Sequence, residues 1–129
     1  MPETEDGERL QRGWETVRQI NAPAAQRQWD ELTAIFPDFA RYVVQSAYCD
    51  VLSRPALPLR EREIATLAAL AALGNAPSQL KAHVEGALNV GVTREEICEL
   101  FMQMAVYAGV PAAINAMKIA GEVFAQRGA

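Results

Sequence analysis

Read by its apolar positions, the chain is a succession of helices. Residues 5–20 place Leu10, Trp14, Val17 and Ile20 three or four apart, the spacing of one helical face. A second helix is expected over 24–34, with Trp29, Leu32 and Ile35 toward its end. Pro37 then opens a third, "DFARYVVQSAYCDVLS", in which Phe39, Tyr42, Val43 and Ala47 should share a stripe. The segment "RPALP" at 54–58 is a connector, because proline lacks an amide donor and disfavours helix in the residue before it.

The fourth helix, about 59–73, has a different pattern. From Ile64 to Leu73 only Thr66 is polar, so no solvent face remains and cover on all sides is expected, some of it from another subunit. "GNAP" at 74–77 ends this helix: Gly74 suits a left-handed C-terminal residue, and Asn75 is expected to cap the fifth helix, which runs to about Asn89 before Gly91. Thr93 and Glu96 of "TREE" form a capping box, in which the Thr93 hydroxyl accepts from the Glu96 amide and Glu96 reaches back. The sixth helix continues to about Ala108, and Pro111 starts the last. No stretch alternates with the period of two that a strand needs. The fold class is all-α, a compact bundle of about six or seven helices.

Length and composition narrow the function. The 129 residues suit one domain (1–129) with its own core. Half of them are hydrophobic and 22% charged, which is globular rather than disordered composition. A net charge of −4 offers no footprint for a phosphate backbone, so no nucleic-acid partner is expected. The longest apolar run is about half a membrane span, so no membrane partner is expected. "MPETEDGE" is acidic where a secretory leader is basic, which favours a cytoplasmic protein. Cys49 and Cys98 are far apart and read as small hydrophobes. With a single histidine, no metal site is expected.

That histidine, His83, carries the candidate chemistry. It lies eight residues past Asn75, and Glu63 lies twelve before it. In an antiparallel hairpin their heights differ by only about 6 Å at roughly 1.5 Å rise per residue, a gap that long side chains close if both face the same way. Leu80, Val84, Ala87 and Leu88 mark the buried stripe of the fifth helix, with His83 beside it. A carboxylate that orients one ring nitrogen of a histidine is a proton-transfer arrangement. The plainer reading makes His83 structural and Glu63 the solvated start of a helix, with Arg60 and Arg62 as its surface partners.

"SRPALPLREREIATLAALAALGNAPSQLKAHVEGALNVGVTREEI", followed by "MAVYAGVPAAINAMKIAGEVFA", resembles the carboxymuconolactone decarboxylase family. The likeness covers residues 36–126 as the core region, with 1–35 as N-terminal helices. It implies an all-helical protein that assembles as a homotrimer or homohexamer and uses no cofactor. One branch of the superfamily, similar to alkylhydroperoxidase D, works through Cys-x-x-Cys-x-x-x-His. Set on His83, that motif places Ala76 and Gln79 where the thiols belong, and neither supplies a thiolate. A thiol peroxidase is therefore not expected, even where the family name suggests one.

The other branch removes CO2 from γ-carboxymuconolactone to give the β-ketoadipate enol-lactone. Its chemistry implies a general acid that protonates carbon and donors that stabilise the developing oxyanion. Here that implies His83 as proton donor and Glu63 as its orienter or a second acid. Arg54, Arg60 or Arg62 would hold a substrate carboxylate. Phe101 and Tyr107 would line the site, with the Tyr107 phenol toward an oxyanion, whereas Met104 reads as core. Dedicated decarboxylases of the family often carry a hydroxyl residue at the place of Glu63 and a second histidine at that of Gln103. An acid and an amide there imply a substrate other than the usual dianionic lactone, a small organic acid or related lactone. The alternative is a paralogue that keeps the scaffold for binding or assembly.

Overall fold

The computed structural model describes residues 2–128; seven α-helices, one π-helix and no strand are found among them. The resemblance and the periodicity both called for an all-α chain, and it is one. Its contacts fall into two compact units that divide between Leu59 and Arg60.

The first unit contains α1 (Pro2–Ile20), α2 (Ala22–Ile35), α3 (Pro37–Val43) and the π-helix (Val44–Val51). Asn21 caps α2 by accepting from the Ala24 amide at 3.3 Å. Trp14 of α1 and Trp29 of α2 meet edge to face, with centroids 5.5 Å apart. Val17 and Ile20 are buried as their spacing required. The third helix departs from expectation. It widens at Val44, where the Leu52 amide reaches back five residues to the Ala47 carbonyl. Its buried positions are Ala40, the adjacent pair Val44 and Gln45, and Cys49, so the inward face recurs every four to five residues rather than every three to four. Phe39 and Tyr42 of the expected stripe are exposed. The cause lies in α1. Gly13 presents bare backbone to Val44, and Gln45 Nε2 donates to the Asp6 carbonyl at 3.0 Å. Residues 37–51, grouped with the later helices by the resemblance, thus pack with α1 and α2.

The second unit contains α4 (Leu59–Leu73, from its second residue), α5 (Pro77–Asn89), α6 (Arg94–Tyr107) and α7 (Val110–Arg127). Leu67 and Ala71 of α4, Leu80 and Val84 of α5, Ile97 and Phe101 of α6, and Ala120 and Val123 of α7 meet in one core. Gly74 and Gly91 take φ of +70° and +96°, left-handed values that a residue with a Cβ rarely adopts. The capping box forms as expected: Thr93 Oγ1 accepts from the Glu96 amide at 3.1 Å, and Glu96 Oε1 from the Thr93 amide at 2.9 Å.

One expectation fails here. Ala76, not Asn75, is the N-cap of α5, and no side chain bonds to that end, because the helix begins one residue later than Asn75 would need. The cover on all sides of α4 is not supplied by this chain. Only Glu63, Leu67 and Ala71 are buried, whereas Ala65, Ala69, Ala72 and Leu73 are exposed. Three of those four side chains are single methyl groups, so the exposure costs little per position. No helix among the described residues is long and apolar enough to cross a membrane.

Candidate functional site

Glu63 sits one turn before Leu67 and two before Ala71, so the face that α4 turns to the core carries a carboxylate at its N-terminal end. On α5, His83 lies one turn after buried Leu80 and next to buried Val84. A three-residue turn joins the two helices, and the two faces meet: His83 Nδ1 lies 2.8 Å from Glu63 Oε2. The side chain of Glu63 has no exposed surface and that of His83 is 18% exposed. Glu63 Oε1 is buried without a hydrogen-bond partner among the described residues.

Burying a carboxylate is costly unless a donated proton or a counter-charge compensates it, and the imidazole supplies one or the other. The contact also fixes the ring. With Nδ1 engaged by Glu63, Nε2 faces the opposite way and is the nitrogen left for chemistry. In the neutral ring with its proton on Nδ1, Nε2 is a base; in the imidazolium it is an acid. The pair can therefore move a proton at one defined atom. Among the described residues no group of three His, Cys, Asp or Glu side chains is placed to hold a metal ion.

The other candidates are dispersed. Arg60 pairs with Glu96 and, at 3.4 Å, with Glu61. The Thr93 amide and then Arg60 hold the Glu96 carboxyl below the usual glutamate range. Arg62 is half-buried and engaged within the protein. Arg54 belongs to the first unit, where it borders a surface hollow with Arg12, Glu15 and Gln19. Phe101 is wholly enclosed in the core of the second unit. Tyr107, the last residue of α6, is 80% exposed. Gln103 borders an open hollow beside Glu95, Glu96 and Glu99. The partnership of Arg60 with Glu96 has no signal in the sequence: Glu96 reads as a helix cap, and nothing local ties it to a residue 36 positions earlier.

An all-helical scaffold that clasps one acid–imidazole pair between two antiparallel helices is the class that fold and site define. The family model described as the carboxymuconolactone decarboxylase family matches residues 37–122. The chain belongs to that family. It is 35% identical over 124 residues to the 4-carboxymuconolactone decarboxylase of Acinetobacter baylyi, covering 95% of this chain and 92% of that one. It is 29% identical over 118 residues to an uncharacterized 15.0 kDa protein from the nqo9–nqo10 intergenic region of Paracoccus denitrificans, covering 91% and 88%. A nitrosuccinic acid decarboxylase of Metarhizium robertsii is 38% identical over 76 residues, covering 58% of this chain and 52% of its own.

Proposed function

We propose that this chain is a cofactor-free carboxy-lyase acting on a small unsaturated carboxylated lactone or related acid, with His83 as proton donor and Glu63 as its orienter. The observation that carries the reading is the 2.8 Å contact between His83 Nδ1 and a carboxylate with no exposed surface. Two relatives are named for decarboxylations, of 4-carboxymuconolactone and of nitrosuccinic acid. In both acids, loss of CO2 leaves an electron pair that spreads into an electron-withdrawing group, a conjugated carbonyl or a nitro group. The C–C bond to the carboxylate breaks, its electrons enter that group, and a proton must then be delivered to carbon. His83 Nε2–H delivers it, and Glu63 steadies the ring through Nδ1. The repulsion between Glu63 and an anionic substrate is offset by the imidazolium paired with it. Ala76 and Gln79 leave no thiol for the peroxidase route, and Cys49 is buried in the first unit. The exposed remainder of α4 supports the self-association that the resemblance implies, and a monomeric mass by light scattering would exclude it.

The test is CO2 release from γ-carboxymuconolactone and from nitrosuccinate by wild type, His83→Ala and Glu63→Gln. Turnover of at least one acid by wild type is expected. Loss of the general acid should lower kcat by about a hundredfold or more. Equal rates in wild type and His83→Ala would remove the assigned acid. Absence of turnover on both acids would favour a binding or assembly role.

A further inference from the structure

The second unit holds a hollow of about 350 Å³ that the decarboxylation reading leaves unused. The end of α4, the start of α5 and the turn between them form one wall, and residues 112–119 of α7 the other. Its size falls at the small end of ligand cavities, which run from about 300 to 1,000 Å³. Ala71, Leu80 and Ala116 make an apolar floor, and all three are buried. Ala112 stands at the rim, where exposed Asn115 and Lys118 add an amide and an ammonium. Lys118 is the one charged residue among the described residues that line it. The hollow on α6 is the opposite case, since Glu95, Glu96 and Glu99 border it and repel an anion. Neither Glu63 nor His83 lines the hairpin hollow.

We infer that this hollow is a binding site for a small ring-bearing monocarboxylic acid, its ring on Ala71, Leu80 and Ala116 and its carboxylate toward Lys118 and Asn115. The space exists because alanines stand where larger side chains would close it, and the floor removes apolar ring surface from water. One cation at the rim matches one carboxylate. A second carboxylate would have to lie on the apolar floor without a partner, which disfavours diacids. The site is separate from the acid–imidazole pair, so it stands whether or not the chain turns over a lactone.

Benzoate is the probe, with benzyl alcohol as its neutral counterpart, titrated into the ¹⁵N-labelled full chain. Saturable shifts confined to amides near 70–80 and 112–119 are expected, with benzyl alcohol binding at least fivefold more weakly. Lys118→Gln should weaken benzoate about fivefold, as one partly solvated ion pair of roughly 1 kcal/mol predicts. Ala112→Trp should abolish the shifts, and Ala112→Leu serves if the larger side chain prevents folding. Equal affinity for the two probes, indifference to Lys118→Gln, or shifts centred on His83 would overturn the assignment. So would a fall in mass by light scattering on Ala112→Trp, which would show the hollow covered by a second copy of the chain.

Discussion

Truncating His83 tests the central pair without presupposing any substrate. Glu63 has no exposed surface, and its one observed partner is Nδ1 of His83 at 2.8 Å. His83→Ala therefore leaves an enclosed carboxylate with neither oxygen satisfied, since Oε1 already lacks a partner. Breaking a buried pair in this way costs about 3–5 kcal/mol. The imidazole is itself 18% exposed, so its removal opens a path for water to Oε2 and places the cost near the lower bound, about 3 kcal/mol. Glu63→Leu in the His83→Ala background removes the stranded charge, and only the space left by the ring remains. That double variant should recover about 2 kcal/mol, as apolar replacement of buried ion pairs commonly does. Urea unfolding followed by far-UV circular dichroism at pH 7, at one protein concentration throughout, reads all four members of the cycle. A loss under about 1 kcal/mol for His83→Ala, or no recovery in the double variant, would show that the carboxylate does not depend on the imidazole.

Two further outcomes concern the first unit. A Cβ on Gly13 would lie 2.6 Å from the Val44 carbonyl oxygen and 2.7 Å from its Cγ1. Gly13→Ala should thus destabilise by about 1–2 kcal/mol in urea unfolding despite alanine's better helix propensity, and a stabilised variant would refute the close approach. Arg9 grips Asp50 with two hydrogen bonds, of 3.1 and 2.6 Å, and these hold the Asp50 carboxyl below the usual aspartate range. A lowered carboxyl contributes stability above its ordinary value and loses it as pH falls through the depressed one. The deficit of Arg9→Gln relative to wild type should accordingly be present at pH 6 and shrink at pH values below the folded Asp50 value. A deficit that grows on acidification, measured as urea midpoints across that range, would contradict the assignment.

What could be read from the chain and what could not divide along a physical line. Helix ends are local: Pro37, Gly74, Gly91 and the Thr93–Glu96 box each act within a turn of themselves, and each stands at or beside an observed boundary. The meeting of Glu63 and His83 was within reach because a short turn makes two helices antiparallel and rise per residue then fixes the heights. Features set by a distant neighbour were out of reach. The π-helix answers to a glycine about thirty positions earlier, which no period within 38–53 reveals. Arg60 answers to Glu96, on another helix. The phase of α6 is the sharpest case. Nine of its eleven residues from Ile97 to Tyr107 are apolar, so the pattern does not say which side faces in. In the fold Ile97 and Phe101 turn inward, while Met102, Val106 and Tyr107 stay exposed. A segment with apolar residues on every side has its inward face chosen by its neighbours. Phe101 and Tyr107, both named from sequence as lining one site, consequently end in opposite environments. The acid–imidazole pair escapes that ambiguity because its two members are the polar exceptions on otherwise apolar faces.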